Sequence, residues 1–151
     1  MELFNESPFN KLPKELIYII LSYTYQPQSK ELTEDIKNYY ESKKILFSTY
    51  YKIWIVEYQE NEPSDKEWII NDLYRYSNKD FLTMNGYVDE FYELFFRKFN
   101  IQTKEQVNNY IAILDNKSLN TQINVFLTLL NPKERNEFMI FFISRIYIGI
   151  T

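Results

Sequence analysis

The chain has 151 residues, a formal net charge of −4, 45% hydrophobic and 25% charged residues, and no cysteine or histidine. A chain of this length buries roughly 70% of its unfolded surface and needs no covalent or metal staple to fold. The two missing residue types exclude thiol chemistry, thiolate metal sites, and Ser-His, Cys-His or His-metal catalysis.

The absence of cysteine fits a reducing compartment. Residues 1–62 carry 7 basic and 10 acidic side chains (−3), residues 63–99 carry 5 and 7 (−2), and residues 100–151 carry 5 and 4 (+1). No basic stripe results, so a nucleic-acid partner would lack its electrostatic footprint. The N-terminus has no basic segment followed by a long apolar core, so no signal peptide is expected. The apolar run at 138–143 ends at Ser144 and Arg145, far short of the ~20 residues of a membrane span. These features predict a soluble protein. The abundant Tyr, Phe, Ile, Asn and Lys are residues that AT-rich codons supply, so 14 tyrosines do not by themselves signal a function.

In chain order, Leu12, Leu16, Ile17, Ile20 and Leu21 recur at helical spacing ahead of Pro27. Pro13 suits a first helical position, and Glu15 favours the positive end of the helix dipole. Ser29 is placed to cap a second helix whose inner face would use Leu32, Ile36, Tyr39 and Tyr40. The pattern resumes at Leu46, Tyr50, Ile53, Trp54 and Tyr58. One unbroken helix over 30–60 would be about 45 Å long, which predicts a break near Glu41–Lys44. Lys52–Tyr58, rich in β-branched and aromatic residues, is also compatible with a strand.

Ser64 to Glu67 reads as a capping box that opens a helix burying Trp68, Ile69 and Leu73. Asn85 or Gly86 precedes a helix with Val88, Phe91, Tyr92, Phe95 and Phe99 on one face. Thr103 with Gln106 forms a second box, followed by Val107, Tyr110, Ile111 and Leu114. Ser118 caps a helix carrying Leu119, Ile123, Phe126, Leu127 and Leu130, and Asn131-Pro132 opens the last, with Phe138, Met139, Phe142 and Ile143. The closing Arg145–Thr151 stretch, alternating Ile146, Ile148 and Ile150, reads as helix or short strand. The predicted fold is all-α, with about six to seven short amphipathic helices in an antiparallel bundle or array and room for one short β-hairpin. In this reading residues 1–62 form a leading helical segment and 63–151 a C-terminal bundle packed against it, with one continuous domain as the alternative.

Chemistry in such a chain falls to carboxylate, lysine, tyrosine or serine. Asp89, Glu93 and Arg97 share a helix face at i, i+4 spacing beside Glu90. This set could in principle hold Mg²⁺, but it reads first as a solvated, salt-bridged face. The two glycines lie 63 positions apart (149 − 86), so no glycine loop exists to cradle a nucleotide. Lys43-Lys44 and Lys133 with Arg135 are too sparse to recognise phosphate. No catalytic residue, cofactor or metal site is assigned, and the chain reads as a non-enzyme. Most tyrosines sit at core spacings. Tyr18, Tyr23 and Tyr25, with Tyr39, Tyr40, Tyr50 and Tyr51, suit an amphipathic contact surface.

The stretch "LPKELIYIILSYT" resembles the start of an F-box, through Leu12, Pro13, Glu15, Leu16, Ile20, Leu21, Ser22 and Tyr23. "STYYKIW", ending in Trp54, imitates the aromatic close of that motif. The 42 positions from Leu12 to Trp54 (54 − 12) exceed the family's spacing, with an insertion centred on "QPQSKELTEDIKNYY". The longer form resembles F-box-like N-terminal segments in proteins of large DNA viruses of protists. The resemblance implies a host Skp-type adaptor of a cullin-RING ubiquitin ligase as partner, in the host cytoplasm. Leu12, Pro13, Leu16, Ile17 and Ile20 would bear that contact. The alternative is a structural role, as a minor capsid or core component of a virus particle bound to viral structural proteins.

Overall fold

The computed structural model describes residues 12–24, 28–59, 62–98 and 100–148, and of positions 21, 24 and 143–148 only the backbone. Among them, seven α-helices carry the fold: α1 Lys14–Thr24, α2 Lys30–Tyr50, α3 Asp65–Ser77, α4 Asp89–Phe96, α5 Lys104–Leu114, α6 Leu119–Leu129 and α7 Pro132–Ile148. A π-helix, Tyr51–Glu57, continues α2, and a 3₁₀ turn, Thr83–Asn85, lies between α3 and α4. The fold is all-α, with no strand among the described residues. The chain divides into two compact units, Met1–Thr33 and Glu34–Thr151. Residues 34–62, grouped in the sequence reading with the leading segment, thus belong to the larger unit.

Local chemistry sets the helix starts. The first backbone N–H groups of a helix have no partner within it, so a side-chain acceptor just ahead of the first turn stabilises the start. Ser29 Oγ accepts from Leu32 N–H at 3.1 Å, and Ser118 from Thr121 N–H. Both expected capping boxes form, Ser64 with Glu67 and Thr103 with Gln106. A third opens α7, where Asn131 Oδ1 accepts from Glu134 N–H at 2.9 Å and Glu134 Oε2 accepts from Asn131 N–H at 2.8 Å. α1 begins at Lys14, one residue later than expected, with the Pro13 carbonyl accepting from Leu16 and Ile17.

Two expectations are corrected, and between them one alternative, a strand at 52–58, falls away in favour of the helical period. No break occurs at Glu41–Lys44, because Ser42, Leu46 and Tyr50 form a continuous buried line along α2. Residues 52–57 are helical, not strand, although their β-branched side chains favour strands. Trp54 stacks on Trp68 of α3 with ring centroids 4.3 Å apart, and the helix widens to the i→i+5 pattern, as in Tyr58 N–H to the Ile53 carbonyl. Residues 145–148 are also helical. Second, Leu32, Ile36 and Tyr40 are exposed and only Tyr39 of that expected inner face is half-buried. Phe99 and the side chain of Ile143 lie outside the described residues.

In the larger unit α3 is the central helix, in contact with α6, α7, α4 and the π-helix. Ile69 and Leu73 of α3 share one core cluster with Phe91 and Phe95 of α4, Phe126 of α6 and Phe138 of α7, all fully buried. Tyr50 stacks on Phe142 at 3.9 Å, joining α2 to α7. Each large side chain taken from water contributes roughly 1.5–3 kcal/mol, so this aromatic layer dominates the stability of the unit.

Candidate functional site

Helix α1 places Leu16, Ile19, Ile20 and Tyr23 at i, i+3, i+4 and i+7, one helical stripe. None of its described side chains is buried. Leu16 is 46% exposed and Ile19 51%. Pro13 is exposed, and Leu12, Ile17 and Ile20 are half-buried. The five residues singled out in the sequence are therefore all accessible at least in part, Leu12 and Pro13 just ahead of α1 and Leu16, Ile17 and Ile20 on it. Ile19 was missed there, although its i+3 spacing from Leu16 was a usable signal. Covering the apolar part of such a face contributes roughly 25 cal/mol per Å². Ser22 donates to the Ile19 carbonyl at 2.7 Å.

The tyrosines do not act as one group. Tyr18, Tyr23, Tyr40 and Tyr51 are exposed. Tyr50 is buried, and half-buried Tyr39 donates to Asn124 at 3.1 Å. Tyr25 lies outside the described residues.

No family model, curated protein or solved structure matches this chain. The functional reading therefore rests on the residues themselves.

Asp89 of α4 and Arg97, just after it, pair with residues of other elements. Asp89, Glu93 and Arg97 do not form the intrahelical ladder their spacing suggested. Lys104 donates to Asp89 at 2.6 Å, and Arg97 forks onto Glu134, with one bond of 2.6 Å. That pair holds the Glu134 carboxyl below its usual range and raises the Arg97 guanidinium. Among the described residues no group of three or more acidic side chains is placed to hold a metal ion. Arg97 also donates to the Leu129 carbonyl at 3.0 Å, and Arg135 Nε to the Leu127 carbonyl at 2.8 Å. Both arginines thus satisfy carbonyls at the C-terminus of α6, where positive charge is favoured. Tyr74 donates to Asp115 at 2.7 Å, and burial, reinforced by that carboxylate, raises its hydroxyl well above the usual tyrosine value. Burial beside Glu137 and Glu134 raises Tyr76 to about 12. No described helix is long and apolar enough to cross a membrane.

Proposed function

We propose that this chain is a non-enzymatic protein-interaction module whose α1 docks on a protein partner, and that the partner is a Skp-type ubiquitin-ligase adaptor of a host cell infected by a large DNA virus. One observation carries the reading. A chain with ample core elsewhere leaves Leu16 and Ile19 about half exposed on a helix that buries none of its described side chains. Exposed contiguous apolar surface on a folded protein marks an interaction site. The Leu-Pro opening of that helix supplies the resemblance that names the adaptor, and Leu12, Pro13, Leu16, Ile17 and Ile20 are the contact residues it assigns.

The test is co-purification of the tagged chain with a Skp-type adaptor, in parallel with Leu16→Asp. Recovery of the adaptor by the wild type and its loss in the variant, with an unchanged melting temperature, is the expected result. Absence of the adaptor from both, or equal recovery by both, overturns the proposal. Stoichiometric presence of the chain in purified virus particles without adaptor binding would favour the structural alternative.

A further inference from the structure

A cleft of about 330 Å³ opens between α3, the connection from α3 to α4, and the turn after α5, with Tyr74, Arg75, Phe81, Leu82, Tyr87 and Asp115 in its lining. Its volume falls at the lower end of small-ligand sites, which are mostly apolar or aromatic with a few polar groups. The walls are fixed by the fold. Asn78, 0% exposed, donates from Nδ2 to the Phe81 carbonyl at 2.8 Å and the Gly86 carbonyl at 3.1 Å, and accepts at Oδ1 from Val88 N–H at 2.9 Å. These bonds clasp the backbone at and beside Phe81 and Tyr87. They also hold Lys79 and Asp80 in left-handed backbone at φ 52° and 65°, where non-glycine residues persist only if their surroundings keep them. Tyr87 stacks on buried Phe91 with ring centroids 4.1 Å apart, and Tyr74 makes a T-shaped contact with buried Phe126 at 4.6 Å.

Asp115 is the feature of this cleft that points to a ligand. It follows the last residue of α5, where the helix dipole disfavours a carboxylate. Its carboxylate accepts from the neutral Tyr74 hydroxyl, and no lysine or arginine among the described residues pairs with it. Burial, reinforced by this carboxylate, raises the hydroxyls of Tyr74 and Tyr87, so both rings stay neutral beside one negative charge. Arg75, the other charged residue of the lining, is already paired, its Nε donating to Asp80 at 2.5 Å. An unneutralised carboxylate beside three aromatic rings attracts a cation of apolar surface, because ring faces carry partial negative charge. A primary ammonium would have to shed a tight hydration shell there, whereas a quaternary one brings methyl groups to bury against the rings.

We propose that this cleft binds a quaternary ammonium group, with its charge beside Asp115 and its methyl groups against the rings of Tyr74, Phe81 and Tyr87. Choline-like small molecules and trimethylated lysine side chains both carry such a head, and the assay separates them.

Isothermal titration of the full chain with choline, and with a short peptide carrying one trimethyl-lysine, tests this. At least one probe should bind with a dissociation constant of about 1 mM or tighter. Tighter binding of the peptide assigns the site to a methylated protein, and equal or tighter binding of choline assigns it to the free head group. The neutral isostere of choline, with carbon in place of the nitrogen, and the unmethylated peptide should each bind at least ~5-fold more weakly than their charged or methylated counterparts. Asp115→Asn and Phe81→Leu, both at exposed positions, should weaken binding at least ~5-fold while leaving the melting temperature unchanged. The isostere comparison uses the wild type alone, so it decides the matter whether or not a variant folds. Absence of heat from both probes up to about 10 mM overturns the proposal. So does a neutral isostere or an unmethylated peptide bound as tightly as its counterpart, or binding that survives both substitutions.

Discussion

Arg135 is the residue whose removal tests the packing argument most sharply. Its side chain is 3% exposed, and it joins three helices. Nε donates to the Leu127 carbonyl at the end of α6, one terminal nitrogen to Asn38 Oδ1 at 2.7 Å, and the other to Asp35 Oδ1 at 2.6 Å. Arg135→Ala removes two buried methylenes beyond Cβ, worth about 1.6 kcal/mol together. It leaves the carbonyl of buried Leu127 without its side-chain partner, at about 2 kcal/mol. The ion pair adds only about 1 kcal/mol, because the Asp35 side chain is 40% exposed. The sum is about 4–5 kcal/mol, a large share of the stability of any domain this size, and corresponds to a fall of about 15 °C in melting temperature. Urea denaturation of the wild type, Arg135→Ala, Arg135→Met and Asp35→Ala separates the contributions. Arg135→Met restores the apolar stem and should recover only about 1.6 kcal/mol, and Asp35→Ala should cost about 1 kcal/mol. An Arg135→Met variant as stable as the wild type would refute the reasoning, since the buried polar clamp would then add nothing over apolar filling.

Asn78→Ala removes three hydrogen bonds from a fully buried position and should cost about 3 kcal/mol in urea denaturation, with amide exchange accelerating first at Gly86 and Val88. Because the Arg97 hydrogen bond lowers the Glu134 pKa, the stability it contributes is present above the ordinary glutamate value and lost as pH falls through the lowered one. The drop in urea midpoint from neutral to acid pH should therefore be smaller in Glu134→Gln than in the wild type, and an equal drop would count against the pair. Tyr76, raised from 10.0 to about 12, has the opposite sign. Its contribution is complete below pH 10 and declines as pH rises through 10 to 12, so ultraviolet titration should find that Tyr76→Phe removes a late-ionising tyrosine and flattens the alkaline loss of stability.

Much of the larger unit was legible because its signals are local. The Ser64–Glu67 and Thr103–Gln106 boxes span four residues each and act within one helical turn. The apolar repeats at Phe91–Phe95 and Ile123–Phe126–Leu127 identify buried stripes through the 3.6-residue period alone. The accessible α1 stripe was likewise legible as a pattern, through Leu12, Leu16, Ile17 and Ile20. Loop 78–88 was not, since nothing in the composition marks Asn78 as the buried donor that holds left-handed Lys79 and Asp80.

The sequence by itself determined the capped helix starts, such as those at Ser64 and Thr103, the apolar period of each helix, and the lack of thiol and imidazole groups. Tertiary structure decided what covers each stripe. Leu46 and Tyr50 of α2 are buried while Leu32, Ile36 and Tyr40 of the same helix are exposed, although all five fit one amphipathic pattern. The π-helix at Tyr51–Glu57 accompanies a stack between Trp54 and Trp68, and Arg135 became a clamp because the Asp35 carboxylate, one hundred positions earlier, lies within hydrogen-bond reach. The physical reason is common to these cases. A cap or a period is settled by neighbours in sequence, whereas burial and ion pairing depend on partners that only folding brings together.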